Sequence, residues 1–322
     1  MSYSVLNDTI KQAKSILIIS HVNPDGDTLG SMCGLYCAIE ENFKKKCDMM
    51  VLSKVPAVYE FLPNINKAKS LDEFDRSRVY DLAITVDVAG LDRTLDGRIL
   101  FKKALKTINI DHHKTTADYA DINIIDPDAS SAGEILYGIM KESDWKIGSD
   151  TAINLYTAVL TDTGSFRFEN TKPSTFETAA ELVKIGAEPA RVYRNVYESD
   201  TKATVLFQAY CIGKAEFLED DKIAYTIVYK KDMEKFNAGD DAMEGMTEKL
   251  RAIVTTRIAF VVKEMKSGGS KVSMRSKSAD AAQICAVFGG GGHKFAAGCT
   301  IKAAPEQAAK KILAEIKKLK VL

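Results

Sequence analysis

Apolar runs separated by segments of helical period dominate the first two thirds of the chain. Ile16-Leu17-Ile18-Ile19 predicts a buried strand, residues 27–42 a helix, and Cys47 to Leu52 a second buried strand. The alternation continues. Asp81 to Asp87, Lys106 to Asp111 and Ile122 to Asp126 read as strands, and Ser131 to Lys141 and Thr151 to Thr161 as helices. Thr175 to Asp200 is helical in pattern, with a break at Gly186-Ala187-Glu188-Pro189. Strands alternating with helices imply a mostly parallel sheet covered on both faces. Beyond Asp221 the order changes: Ile223 to Tyr229, Ile258 to Lys263 and Val272 to Arg275 predict strands, while Met243 to Thr255 and Asp280 to Phe288 predict helices. Pro305 starts a final amphipathic helix with Ala308, Ile312, Ile316 and Leu319 on one face. The predicted fold class is α/β: a doubly wound, mostly parallel sheet domain over residues 1–195 and a smaller mixed α/β domain over residues 196–322.

Composition changes this picture little. The chain has 322 residues, 46% hydrophobic and 27% charged, which suits two globular domains with full cores. No apolar run approaches membrane-spanning length, and Met1-Ser2-Tyr3-Ser4 leads into a polar segment with no signal-peptide core, so a cytoplasmic protein without a membrane partner is expected. The six cysteines form no CxxC pair and sit among apolar neighbours, as buried thiols in a reducing compartment do. Formal net charge is zero, which argues against a surface that coats long nucleic acids. Its distribution is uneven: residues 1–200 carry 23 Lys and Arg against 30 Asp and Glu, and residues 201–322 carry 21 against 14. An acidic half that holds metals beside a basic half that holds phosphates is one reading, and compositional drift is the other.

The chemistry gathers where the predicted strands end. The first runs into His21-Val22-Asn23-Pro24-Asp25-Gly26-Asp27, the third ends at Asp87, and the fourth delivers Asp111-His112-His113. Asn23-Pro24 stops the strand, and Gly26 lets the backbone bend between two carboxylates that need a neutralising cation. Asp25 also suits the N-cap of the following helix, and Asp27 its first turn. Asp162, at the end of a predicted helix, is a further candidate ligand or simply a helix-terminal polar residue. In open α/β sheets ligands bind beyond the carboxyl ends of the strands, so one shared site is the economical expectation. In the second half, Gly289 to Gly292 are entropically costly to order, and close approach of backbone N–H groups to an anion is a reason for them; a mobile hinge is the alternative.

In order, His21 to Asp27, Asp87, Asp111-His112-His113 and Asp162 resemble the successive motifs of the DHH phosphoesterase superfamily. Ser273-Met274-Arg275-Ser276 and Gly289 to Gly298 resemble its smaller DHHA1 domain, so the likeness covers nearly the whole chain. It implies two divalent metal ions, manganese above all: His21, Asp25 and Asp87 on one, and Asp27, Asp87, His112 and Asp162 on the other, with Asp87 bridging. Two such cations about 3.5–4 Å apart clamp both oxygens of an in-line displacement and lower the pKa of a water between them. Asp111 would orient a neighbouring imidazole or serve as a strand-end turn residue. His113 would contact the scissile phosphate or leaving oxygen, since side chains of adjacent residues in an extended segment point apart and His112 takes the metal. Arg275, Gly290, Gly291, Gly292 and His293 would grip a terminal phosphate. Arg167 and Phe168 could help hold a nucleotide, although a surface arginine and a core phenylalanine explain them equally well. Lys114-Thr115-Thr116-Ala117 departs from the asparagine that many members carry after the double histidine. A chain of this length with these two domains resembles the bifunctional oligoribonuclease and 3′-phosphoadenosine 5′-phosphate (pAp) phosphatase group. That implies hydrolysis of short RNA oligonucleotides to mononucleotides and of pAp to AMP, in a cleft between the domains, with a homodimer as a possible assembly. The alternative is a phosphodiesterase for cyclic di-AMP or its linear product pApA.

Overall fold

Six strands, β1 (Ile16–Ile19), β2 (Cys47–Val51), β3 (Ala68–Ser70), β4 (Leu82–Val86), β5 (Lys106–Asp111) and β6 (Ile122–Ile125), form an all-parallel sheet in the order β3-β2-β1-β4-β5-β6. The structure is a computed structural model that describes residues 4–319, without the side chains of Ser4, Asp240, Asp241 and His293. The chain divides into two compact units between Ser199 and Asp200. In the first unit the helices are α1 (Ser4–Gln12), α2 (Gly26–Phe43), α3 (Arg98–Lys103), α4 (Ala132–Glu142), α5 (Ser149–Asp162), α6 (Pro173–Ile185) and α7 (Pro189–Tyr197). The strands are apolar on both faces because both are covered. Ile16 and Ile18 of β1 join one core with Leu29, Leu155 and Leu160, while Leu17 and Ile19 join another with Met50, Leu100 and Phe101. Strand order reverses at β1 and β4, which places a crevice beyond their carboxyl ends.

What brings the helices close enough to share that crevice is a row of small residues. Gly26, Gly30 and Gly34 recur every fourth residue along α2 and face α5. A β-carbon at Gly30 would lie 2.5 Å from the Asn154 carbonyl oxygen, and one at Gly34 would lie 2.7 Å from Leu155 Cδ2. Gly133 of α4 does the same against Ala158, where a β-carbon would fall 2.5 Å from that of the alanine. Asp27 and Asp162 therefore stand on helices packed backbone to backbone.

The second unit holds α8 (Lys202–Gly213), β7 (Glu216–Leu218), β8 (Ile223–Val228), α9 (Lys230–Phe236), α10 (Met246–Arg251), β9 (Ile258–Glu264), β10 (Ser270–Ser276), α11 (Ala281–Ala286), β11 (Gly291–His293), β12 (Ala296–Ile301) and α12 (Pro305–Lys318). Its sheet runs β11-β12-β10-β9-β8-β7, antiparallel except for the parallel β8–β9 pair. Both units are thus α/β, the second mixed. The helix expected from Met243 to Thr255 is shorter: Gly245 enters it with φ +74° and residues 252–257 leave it to feed β9. Ala296–Ile301 pairs with the glycine run, a hairpin that apolar periodicity does not reveal. Among the described residues no helix is long and apolar enough to cross a membrane. Five of the six cysteines are buried, and all are free thiols.

Substituting Gly30 by alanine gains helix propensity of roughly 1 kcal/mol but forces a methyl onto a fixed backbone oxygen, an overpacking cost of about 1–3 kcal/mol. Gly30→Ala is expected to lower the thermal midpoint. Gly138→Ala in α4, where a β-carbon meets nothing within 4 Å, is expected to raise it by the propensity term alone. A thermal melt of both variants checks the pair; an unchanged midpoint in Gly30→Ala would remove the close-packing account.

Candidate active site

Asp25 ends the loop after β1 and caps α2, its Oδ1 accepting the Thr28 N–H at 3.1 Å. The capping role and a place in the site coexist, because the Thr28 hydroxyl lies 3.1 Å from Asp25 Oδ1 and 2.6 Å from Asp87 Oδ2. Asp27, in the first turn of α2, is 1% exposed and held by the start of another helix, where Ala132 N and Gly133 N donate to it at 2.8 and 3.1 Å, and by Ser31 Oγ one turn on in α2 at 2.9 Å. The exposed amides of α4 thereby favour its charge.

Asp87 follows β4 with φ +58°, a left-handed backbone that costs a residue other than glycine about 1 kcal/mol or more. That turn aims a 2%-exposed carboxylate at three imidazoles. His21 Nε2 is 3.5 Å from Asp87 Oδ2, and His112 Nε2 and His113 Nδ1 are 3.7 and 3.5 Å from Oδ1. Burial pushes Asp87 upward, but the bond to His21 and the His113, His21 and His112 charges outweigh it and hold the carboxyl at about 2. Asp111 is wholly buried, accepts from the His112 N–H at 2.9 Å and His113 Nδ1 at 2.8 Å, and meets the Thr116 hydroxyl. Thr116 thus ties down the loop where the sequence departs from the common asparagine. The expectation that the paired histidines point apart fails: β5 ends at Asp111, the backbone turns, and both rings face Asp87 with centroids 4.6 Å apart.

Asp162 closes α5, where the helix dipole disfavours a carboxylate. Burial, then the Asp87 and Asp25 charges, push it well above the carboxylate range. Burial and Asp87 do the same to Asp27. Asn170, absent from the sequence reading, holds Asp162 in place: its Nδ2 donates to Asp162 Oδ2 at 3.2 Å, to the Asp162 carbonyl at 3.1 Å and to the Ser130 carbonyl at 2.9 Å. Arg93 was missed as well, and its Nη2 stands 3.2 Å from His21 Nδ1. No local spacing marks either residue, because each reaches the site through a turn. Phe168 is 42% exposed and so is not a core residue, while Arg167 Nε donates to the Gly164 carbonyl at 2.6 Å.

Among the described residues three sets of side chains bring potential ligand atoms within 4.8 Å of one another: His21, Asp25 and Asp87; Asp27, His112 and Asp162; and Asp87, Asp111, His112 and His113. A divalent cation fits the middle set. His112 Nε2 is buried without a hydrogen-bond partner, yet lies 3.6 Å from Asp27 Oδ2, 3.6 Å from Asp162 Oδ2 and 3.7 Å from Asp87 Oδ1, and Asp87 Oδ1 is likewise unpartnered. These separations are too long for hydrogen bonds and suit atoms that share an ion about 2.1 Å from each. On the other side, His21 Nδ1 donates to the Val22 carbonyl at 2.8 Å, which keeps Nε2 aimed at Asp87 as the ring atom that a cation would take in place of its proton.

The comparisons agree with this geometry. Residues 15–163 match the DHH family, N-terminal domain, and residues 220–320 the DHHA1 domain. The bifunctional oligoribonuclease and PAP phosphatase NrnA of Bacillus subtilis is 30% identical over 316 residues, spanning 97% of this chain and 96% of that protein. The chain belongs to the DHH family. It is therefore a metal-dependent phosphoesterase, a hydrolase. The cyclic-di-AMP phosphodiesterase GdpP of Geobacillus thermodenitrificans is 25% identical over 89% of this chain and 45% of its own length. An exopolyphosphatase-related protein from Bacteroides fragilis has the same fold, with a TM-score of 0.92 at 24% identity over 98% of this chain and 96% of that one.

In the second unit, Arg275 Nε donates to Glu248 Oε1 at 2.6 Å and Nη1 to the Met274 carbonyl at 3.0 Å. Gly291, Gly292 and His293 pair with Gly298, Ala297 and Ala296, and the His293 side chain lies outside the described residues. A β-carbon at Gly290 would enter Gly298 and Cys299, and one at Gly292 (φ +141°) would lie 2.5 Å from the Ala296 carbonyl oxygen. Strand packing thus accounts for two of the glycines. Gly291 meets nothing within 4 Å.

Burial lowers the pKa of His113, but its bond to Asp111 and the Asp87, Asp111 and Asp162 charges more than reverse this and raise it to about 9. In metal-free protein the ring should stay charged through neutrality, a stabilisation fully present below the unfolded value near 6.5 and lost as pH rises through about 9. An NMR titration of the ring protons reads this directly. Asp111→Asn should shift the transition downward, and an ordinary midpoint in the unsubstituted protein would contradict the Asp111 pairing.

Proposed function

We propose that the chain hydrolyses very short RNA oligonucleotides to mononucleotides and pAp to AMP, using two divalent cations, manganese first among them. The unpartnered His112 Nε2 amid three carboxylates carries this reading, supported by the likeness to NrnA. In it His21, Asp25 and Asp87 hold one cation, Asp27, Asp87, His112 and Asp162 the other, and Asp87 serves both. When bound, such cations neutralise the phosphoryl oxygens and lower the pKa of a water between them.

The chain's own residues supply the rest. Thr28 keeps the Asp25 and Asp87 carboxylates in register, and Asn170 does so for Asp162. His113 carries a proton on Nδ1, held by Asp111, so its positive charge lies next to Asp87 where the ester oxygen departs. Arg275, already oriented by Glu248, presents a fork suited to a terminal phosphate, and β11 with Gly291, Gly292 and His293, preceded by Gly290, is separated from the Arg275 strand by β12 alone. Residues 1–195 form the catalytic domain and residues 196–322 the substrate-binding domain of this reading, acting in the cytoplasm. Homodimerisation is compatible with it.

Replacing a ligand and replacing a neighbour should have different signatures. His112→Ala is expected to lose bound metal along with turnover, and His113→Ala to keep the metal while turnover falls by a factor of about 10²–10⁴, the usual range for a proton-holding group. Metal analysis of the two purified variants separates them; the reverse pattern would exchange their roles.

Substrate choice is tested by kcat/KM across a panel of diribonucleotide, pAp, pApA and cyclic di-AMP, extended to an RNA length series. Efficiency is expected to fall beyond a few nucleotides. A neutral chain with one tryptophan lacks the run of basic and aromatic residues that tracks a long strand. Binding should also depend weakly on salt, the log–log slope being about −0.7 per phosphate neutralised. The likeness to GdpP favours the second reading, and a clear preference for cyclic di-AMP or pApA would install it instead.

A further inference from the structure

Six residues beyond Asp87, the same loop carries a cation that the chemistry above leaves unused. The backbone of Arg93 is tied at both ends, its N–H donating to the Gly90 carbonyl at 3.0 Å and its carbonyl accepting from Val22 N at 2.9 Å. The half-buried guanidinium is thereby placed with Nη2 3.2 Å from His21 Nδ1. That approach is not a hydrogen bond. His21 Nδ1 sits 2.8 Å from the Val22 carbonyl, which only accepts, so the ring proton is on Nδ1 and two donors face each other. Among the described residues no carboxylate pairs with Arg93.

A guanidinium does not shed its proton, so a half-buried arginine set against a donor and beside a site for cations lacks an anion. The anion that visits such a site is the substrate's phosphoryl group, whose non-bridging oxygens match the planar fork. We infer that Arg93 binds the non-bridging oxygens of the scissile phosphoryl group on the His21 side of the site. This rests on the phosphoester-hydrolysis reading. In the reaction the water oxygen bonds to phosphorus, the ester P–O bond breaks, and the departing oxygen takes a proton from the water. The charge on the non-bridging oxygens persists throughout, so Arg93 acts in binding and in turnover alike.

The scissile phosphoryl is common to every substrate. Arg93→Gln should therefore lower kcat/KM at least about tenfold for bis(p-nitrophenyl) phosphate as well as for a nucleotide. It should also weaken inorganic phosphate binding to the manganese-loaded protein, measured by calorimetry, with metal content and thermal midpoint unchanged. Arg93→Lys, which keeps charge without the fork, should recover part of the phosphate affinity. Wild-type phosphate affinity and turnover in Arg93→Gln would overturn the inference, and so would metal loss in that variant, which would make the arginine a support for His21. A wild-type protein active on bis(p-nitrophenyl) phosphate but on none of the nucleotides would remove the nucleotide reading and leave this test standing. If it hydrolyses none of them, the phosphate titration decides alone.

Discussion

Too many acids are buried around one point, and much of the first unit is arranged to make that tolerable. Asp27, Asp87 and Asp111 are almost fully buried, and an unpaired carboxylate moved out of water costs several kcal/mol even after relaxation. Each is stabilised in its own way. Asp111 accepts from three donors, the His112 N–H, His113 Nδ1 and the Thr116 hydroxyl. Asp27 leans on the amides that open α4, whereas Asp162 sits at the unfavourable end of α5 and, among the described residues, has Asn170 as its neutral donor. Asp87 keeps its charge by borrowing from the imidazoles, at the expense of a left-handed backbone. The balance closes only when a cation supplies what hydrogen bonds do not, which is why the unpartnered nitrogen of His112 matters more than any single carboxylate.

The sheet and the glycines make this concentration of charge possible from opposite sides. Parallel strands β1, β4 and β5 end in adjacent loops, so His21, Asp87 and the double histidine converge with no long-range search beyond strand pairing. The helices bring the remaining acids, and they must come nearer than ordinary side chains allow. A β-carbon at Gly30 would push α2 off α5 and carry Asp27 away from Asp162, and one at Gly133 would displace the α4 amides that hold Asp27. Close packing and metal geometry are therefore one constraint met twice.

Candidate ligands at strand ends were legible in the sequence, because an apolar run followed by His or Asp marks both the strand and a group that could hold a cation. Hence the α/β class, the parallel sheet and the convergence of His21, Asp25, Asp27, Asp87, His112 and His113 could be read in advance, whereas Asp162, at the end of α5, joined them only through the resemblance to the DHH superfamily. Residues that act through a turn could not. Asn170 reaches back eight positions to Asp162, and Arg93 depends on a kinked 3₁₀ segment in which Leu95 takes φ +45°. The glycine row of α2 was readable, since its spacing of four is a helix-face signal, but it is silent about which helix it meets. The turn after Asp111 escaped for a different reason: His112 and His113 lie one and two residues past the end of β5, where strand alternation no longer holds.

The second unit shows how one residue type can answer to two demands. Glycines at 290 and 292 are required by the approach of β12, so their presence does not by itself argue for an anion, while Gly291 is unconstrained by packing and remains open to that explanation. Arg275 has a similar double character. Its short contact with Glu248 satisfies one edge of the guanidinium and fixes its plane, and an incoming phosphate would meet a fork already oriented, at the cost of a nearby negative charge. Among the described residues Arg93 has no such carboxylate. The two arginines should thus differ in kind: one tempered by its partner and suited to discriminating between substrates, the other uncompensated and suited to the phosphoryl group that all of them share.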